Sequence, residues 1–211
     1  MTAVCSVQVP EALRSQWAML TGDAIDDPAL LRAELERLAW SALGHAPPSG
    51  VLDQVADGCA GIIARARTTE SADGSSLLLG QAFFAPEGSG GIPMAAPTVW
   101  LANFGPDHTL DSAAAAMTSE SEQGVLAPVV DVLDTVMGEC VRIKSVQTAG
   151  DAPADGPEAD DVFIHLVHLW ALRDGIFALM TAEFSSFVTE ALLSPGLSDL
   201  AGALRVEFGD E

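Results

Sequence analysis

The chain has little positive charge. Of 211 residues, nine are Lys or Arg and thirty are Asp or Glu, giving a formal net charge of −21 and a pI near 4.1. Nucleic-acid affinity is mostly phosphate neutralisation by Lys and Arg, so no nucleic-acid partner is expected. Anionic membrane faces attract basic segments, so membrane docking is not expected either. There is no uninterrupted apolar run of about 18 residues, hence no transmembrane helix is predicted. The first residues, MTAVCSVQVP, lack the basic and apolar regions of a secretory signal. Cysteine is scarce: Cys5, Cys59 and Cys140 are widely spaced and form no C-x-x-C pair, which argues against a disulfide framework or a zinc site. A reduced cytoplasmic setting is expected. Lys144 is the single lysine and alanine is abundant, a usage typical of a high-GC bacterial genome.

Apolar residues make up 49% of the chain, enough to build a packed core. The clearest early element opens at Asp27-Pro28, an N-cap followed by proline at the first helical position. Leu31, Leu35, Leu38 and Ala42 then recur as a helical stripe that ends at Gly44. This helix is assigned to an N-terminal arm, residues 1–50, leading into an α+β domain over 51–211. Residues 61–68 (GIIARART) read as a strand with Arg65 and Arg67 on one face. Turn residues at 72–75 then lead to a second strand over 76–85. Residues 86–97 read as a loop, 98–104 as a strand and 110–123 as an alanine-rich helix. Two apolar runs, 129–136 and 139–147, suggest a hairpin, and 148–161 is an acidic, exposed connection.

The last third predicts long strands over 162–172 and 176–187, joined through Asp174-Gly175. A final helix opens at Ser194-Pro195 and buries Leu197, Leu200, Ala201 and Leu204. The fold class expected is α+β, a mainly antiparallel sheet with helices packed on it. A long strand pair followed by Ser194-Pro195…Leu204 resembles the end of PsbP-like α/β/α domains, with the strands at 61–68, 76–85 and 139–147 forming the earlier sheet. The resemblance spans residues 52–208 and implies a PsbP-like sandwich. That family includes photosystem subunits, a nuclear-transport factor and secretion-effector chaperones. It therefore implies binding rather than catalysis and transfers no catalytic residue.

No residue pattern signals a reaction. His165 and His168 lie three apart, which on a strand places them on opposite faces and prevents shared metal ligation. Neither Cys59 nor Cys140 carries a nucleophile signature, and there is no G-x-S-x-G elbow. The EGSGG stretch at 87–91 lacks the lysine and the strand–helix setting of a phosphate loop. The carboxylate clusters read as solvated loops and turns. No catalytic residue, cofactor or metal is assigned. Arg65, Arg67, Arg142 and Lys144 are expected to converge on one sheet face and grip an acidic partner segment. The helix Pro28–Leu43 docks either on the domain itself or on a second copy, and its stripe of Leu31, Leu35 and Leu38 is the other candidate partner surface. The function expected is that of a non-catalytic accessory or interaction protein, chaperone-like toward an unidentified protein. The alternative is a small-molecule-binding domain or a hydrolase, which a deep pocket lined by His165 or His168 and a carboxylate would favour, whereas a shallow apolar groove beside the N-terminal helix would favour the accessory role.

Overall fold

The structure is a computed structural model describing residues 5–70, 75–121, 126–148, 162–173 and 175–208. It is built on seven antiparallel strands: β2 (Trp17–Thr21), β3 (Ser76–Phe84), β4 (Thr98–Asn103), β5 (Leu126–Thr135), β6 (Gly138–Thr148), β7 (Val162–Arg173) and β8 (Ile176–Phe184). Their order across the sheet is β2-β3-β4-β8-β7-β6-β5. A separate two-stranded ribbon pairs β1 (Cys5–Gln8) with β9 (Arg205–Phe208). Four helices cover the sheet: α1 (Pro28–Leu43), α2 (Ser49–Thr69), α3 (Leu110–Ser121) and α4 (Phe187–Ala203). None is long and apolar enough to cross a membrane.

Side-chain alternation along the strands divides the core between two faces. On one face, Leu193, Leu197 and Leu200 of α4 pack onto Phe84, Val99, Ile164, Trp170 and Met180. The helix lies so close that a Cβ on Gly196 would stand 2.3 Å from the Phe84 ring. On the other face, two helix groups share the sheet. Leu31, Leu35 and Leu38 of α1, with Leu52, Cys59 and Ile63 of α2, cover Leu20, Leu78 and Phe83. Farther along, Ala113 and Ala114 of α3 cover Val141, Ile143, Leu169 and Phe177. Trp100 touches both groups and so stands in the gap between them.

The expected α+β class is the one observed. At α1 the Asp27 carboxylate accepts from the Ala29 and Leu30 amides, and Gly44 closes the helix at φ +73°. The stripe is buried at Leu31, Leu35 and Leu38, whereas Ala42 is exposed. Three expectations are corrected. Residues 61–68 are not a strand but the second half of α2. Leu52, Cys59, Ile63 and Ala66 are buried at helical spacing, and that period outweighs the short β-branched pair Ile62-Ile63. The first fifty residues are not an arm: β2 pairs with β3 from Trp17↔Phe84 to Thr21↔Gly80, and α1 fills the core beneath it. The last helix begins at Phe187, with Ser186 accepting the Thr189 amide at 3.1 Å, so Pro195 lies inside it. The turn at 72–74, Asp174 and most of the acidic connection at 148–161 lie outside the described residues.

Candidate functional site

The gap marked by Trp100 opens into a cleft of about 870 Å³ between α2, the sheet and the 92–96 segment. Its helical wall carries Val55, Gly58, Ile62, Arg65 and Thr69, spaced three to four residues apart along one face of α2. Its floor is Thr98 and Trp100 of β4 with Thr181 and Glu183 of β8, and His165 of β7 closes the row. Ile92, Pro93 and Met94 form the rim. That rim is tied to the sheet through buried Gln81, whose side-chain amide donates to the Ala96 and Pro97 carbonyls at 2.9 and 3.0 Å. Thr98 Oγ1 donates back to Gln81 Oε1 at 3.1 Å, so the amide is held at both ends.

The floor sets polar side chains around the Trp100 indole. Trp100 Nε1 donates to Thr181 Oγ1 at 3.2 Å, which fixes the indole plane. His165 Nε2 lies 3.2 Å from Glu183 Oε1 across the β7–β8 ladder. The Arg65 guanidinium has no ion-pair partner among the described residues. By contrast Arg32, Arg37, Arg67, Arg142 and Lys144 each hold a carboxylate. The Cys59 thiol also lines the cleft, and burial pushes its pKa up to about 11. It is protonated at neutral pH and a poor nucleophile.

The four cations do not converge. Residues two apart on a helix point about 200° apart, which sends Arg65 to the cleft and Arg67 elsewhere. Arg67 meets Asp26 at 2.6 Å and Glu70 at 3.1 Å. Arg142 and Lys144 rise from β6 on the opposite face of the sheet, under α4. There they pair with Asp131 and with Glu190, each at 2.6 Å. Burial raises the Glu190 pKa, but Lys144 and Ser194 outweigh it and hold the carboxylate below its ordinary value. The expected Arg/Lys cluster is therefore replaced by Arg65 alone. The Leu31–Leu35–Leu38 stripe is no open surface either, being 3, 1 and 0% exposed against the chain's own sheet.

His165 and His168 lie on opposite faces, as their spacing requires. His165 faces the cleft, whereas His168 is buried beside Trp170 on the α4 side, its Nε2 unpartnered among the described residues. Among the described residues no group of three or more His, Cys, Asp or Glu could hold a metal ion. Sequence reasoning missed Gly58, Trp100, Thr181 and Glu183 as cleft residues. Reading 49–69 as a helix would have placed 55, 58, 62, 65 and 69 on one face, but the β8 contribution depends on strand order. Comparison with protein-family models, curated proteins and solved structures finds no match to this chain.

Proposed function

We propose that this chain is a non-catalytic accessory protein of the cytoplasm, which seats an apolar segment of a partner protein in the cleft between α2 and the sheet. The observation that carries this reading is Arg65, an exposed guanidinium with no carboxylate partner among the described residues, on the wall of a cleft whose apolar lining includes Ile62, Trp100 and Met94. The bound segment carries one carboxylate that Arg65 grips bidentately, while its apolar side chains lie along Ile62, Trp100 and Met94. The protonated Cys59 thiol and the absence of a nucleophile motif favour binding over turnover. The buried, unpaired thiols of Cys59 and Cys140 suit a reducing compartment. Acidic charge elsewhere keeps the loaded complex soluble. The PsbP-like resemblance leans toward the same role, although the strand at 61–68 that formed part of it is helical.

A second reading, the small-molecule-binding alternative, rests on the His165–Glu183 pair at one end of the cleft, the pairing of a histidine with a carboxylate that the sequence reading named as favouring it. In that reading the occupant is a small amphipathic carboxylate. The two are separated by calorimetric titration with a short apolar peptide containing one glutamate and, in parallel, with decanoate. The accessory reading predicts that the peptide binds more tightly. Arg65→Glu then weakens binding about tenfold or more, the size of a charge-assisted hydrogen bond. Gly58→Leu has open space in front of it and fills the trough, so it also weakens binding. Its fold is kept or strengthened, because glycine is the poorer helix former. Tighter binding of decanoate moves the assignment to the small ligand. Failure of both probes, or indifference to both substitutions, overturns the cleft as a site.

A further inference from the structure

The two edges of the sheet are built differently. At β2 the edge is five residues long, and its outward Trp17 carbonyl is taken by Arg37 Nη2 at 2.7 Å. The same guanidinium reaches the Arg14 carbonyl and is held by Glu34. That edge is closed to another strand. At the far side β5 runs for ten residues, and among the described residues nothing pairs with its outer side.

The backbone phase of β5 follows from its turn. Thr135 and Gly138 flank a two-residue connection and face each other, so Thr135, Leu133 and Asp131 direct their N–H and C=O toward β6. Val130, Val132 and Asp134 therefore direct theirs outward. Val130 and Val132 are 49% and 61% exposed. Pro128 and the irregularity between Leu126 and Val129 shut off the start of the strand, leaving 129–135 as the open stretch.

The geometry points to a second copy of this chain as the occupant, its β5 added antiparallel to form one continuous fourteen-stranded sheet. Of the two edges of the seven-stranded sheet only β5 is open among the described residues, so pairing through it is isologous and closes as a twofold dimer instead of propagating. One register fits. With Val132 opposite its own copy, Val130 faces Asp134 of the second molecule, and three residue pairs exchange six backbone hydrogen bonds. Asp131, already neutralised by Arg142, then faces Leu133. A shift of two residues one way sets Asp131 against its own copy and brings in Pro128, which has no N–H to give. A shift the other way calls on Val136, whose N–H already donates to the Gly202 carbonyl at 3.2 Å. Charge opposes the union, since each copy carries −21. Salt therefore strengthens it, whereas pairing with a basic partner would weaken as salt rises.

The test is sedimentation equilibrium of the full chain from about 0.02 to about 0.5 M NaCl, a range over which the Debye length shrinks several-fold. Dimer is expected to form and to gain with salt. The substitutions Val130→Asp and Val130→Lys alter the same exposed side chain and leave the β5–β6 ladder intact. In the proposed register Val130→Asp meets Asp134 of the other copy twice and raises the dissociation constant about tenfold, whereas Val130→Lys lowers it. Equal weakening by both overturns the register. A wild-type chain that stays monomeric up to about 100 μM, far above ordinary dimer affinities, across the whole salt range overturns the dimer.

Discussion

His168 is buried at 1% exposure with Nε2 unpartnered among the described residues, and Arg142 sits directly across the ladder from it. Burial first, and the Arg142 charge second, lower its pKa from the ordinary 6.5 to about 4. Between those two values the unfolded chain takes up a proton that the folded chain refuses. Stability is thus full above pH 6.5 and falls as pH drops toward 4, by about 3 kcal/mol for a shift of this size. Glu190, held below its ordinary value by Lys144 and Ser194 against the pull of burial, adds to the acid loss as pH falls below that ordinary value of 4.5. Urea unfolding of the wild type and of His168→Phe at pH 7.5, 6 and 5 checks this. The variant is expected to lose most of the slope between pH 6 and 5. An unchanged slope would mean that the imidazole is not the group responsible.

At the scale of elements, the legible parts were those whose signals are local. Asp27-Pro28 and Gly44 delimit α1 because capping and positive φ are set by adjacent residues. The β5–β6 and β7–β8 hairpins follow from apolar runs broken at Gly138 and Gly175, which adopt φ +99° and +73°. What misled was also local. Gly58 and Gly61 mask the helical period of α2, and Ser194-Pro195 imitates a helix start although the chain is already helical from Phe187. Whether the α1 stripe meets the chain's own sheet or a partner is decided by the β2–β3 pairing, which joins residues some sixty positions apart. The structure places Leu38 at 0% exposure in the core. Leu38→Ala is therefore expected to cost about 2–5 kcal/mol in chemical denaturation of the monomer. A partner-facing leucine would leave monomer stability unchanged and alter only association.

At the scale of the molecule, one sheet face is sealed by α4 along its core. The other is divided between α1/α2 and α3, and the division is what makes a site. No single segment of sequence encodes that cleft: Arg65, Trp100, Thr181 and His165 come from α2, β4, β8 and β7, and only the strand order 4-8-7 brings them together. Two of its residues were named in advance: Arg65, on a strand that is a helix and in a cluster that does not form, and His165, as the histidine that beside a carboxylate would mark a small-molecule pocket. The cleft and the open β5 edge lie at different places on the sheet, so partner binding and self-association can proceed on one molecule. Amide chemical-shift mapping distinguishes them at residue level and tests the central claim directly. A ¹⁵N-labelled chain titrated with the short glutamate-containing apolar peptide is expected to shift at Gly58, Ile62 and Arg65 of α2 and, across the trough, at Thr98, Trp100, Thr181 and Glu183. Shifts confined to β5, or none at all at saturating peptide, would contradict the assignment of the cleft as the binding site.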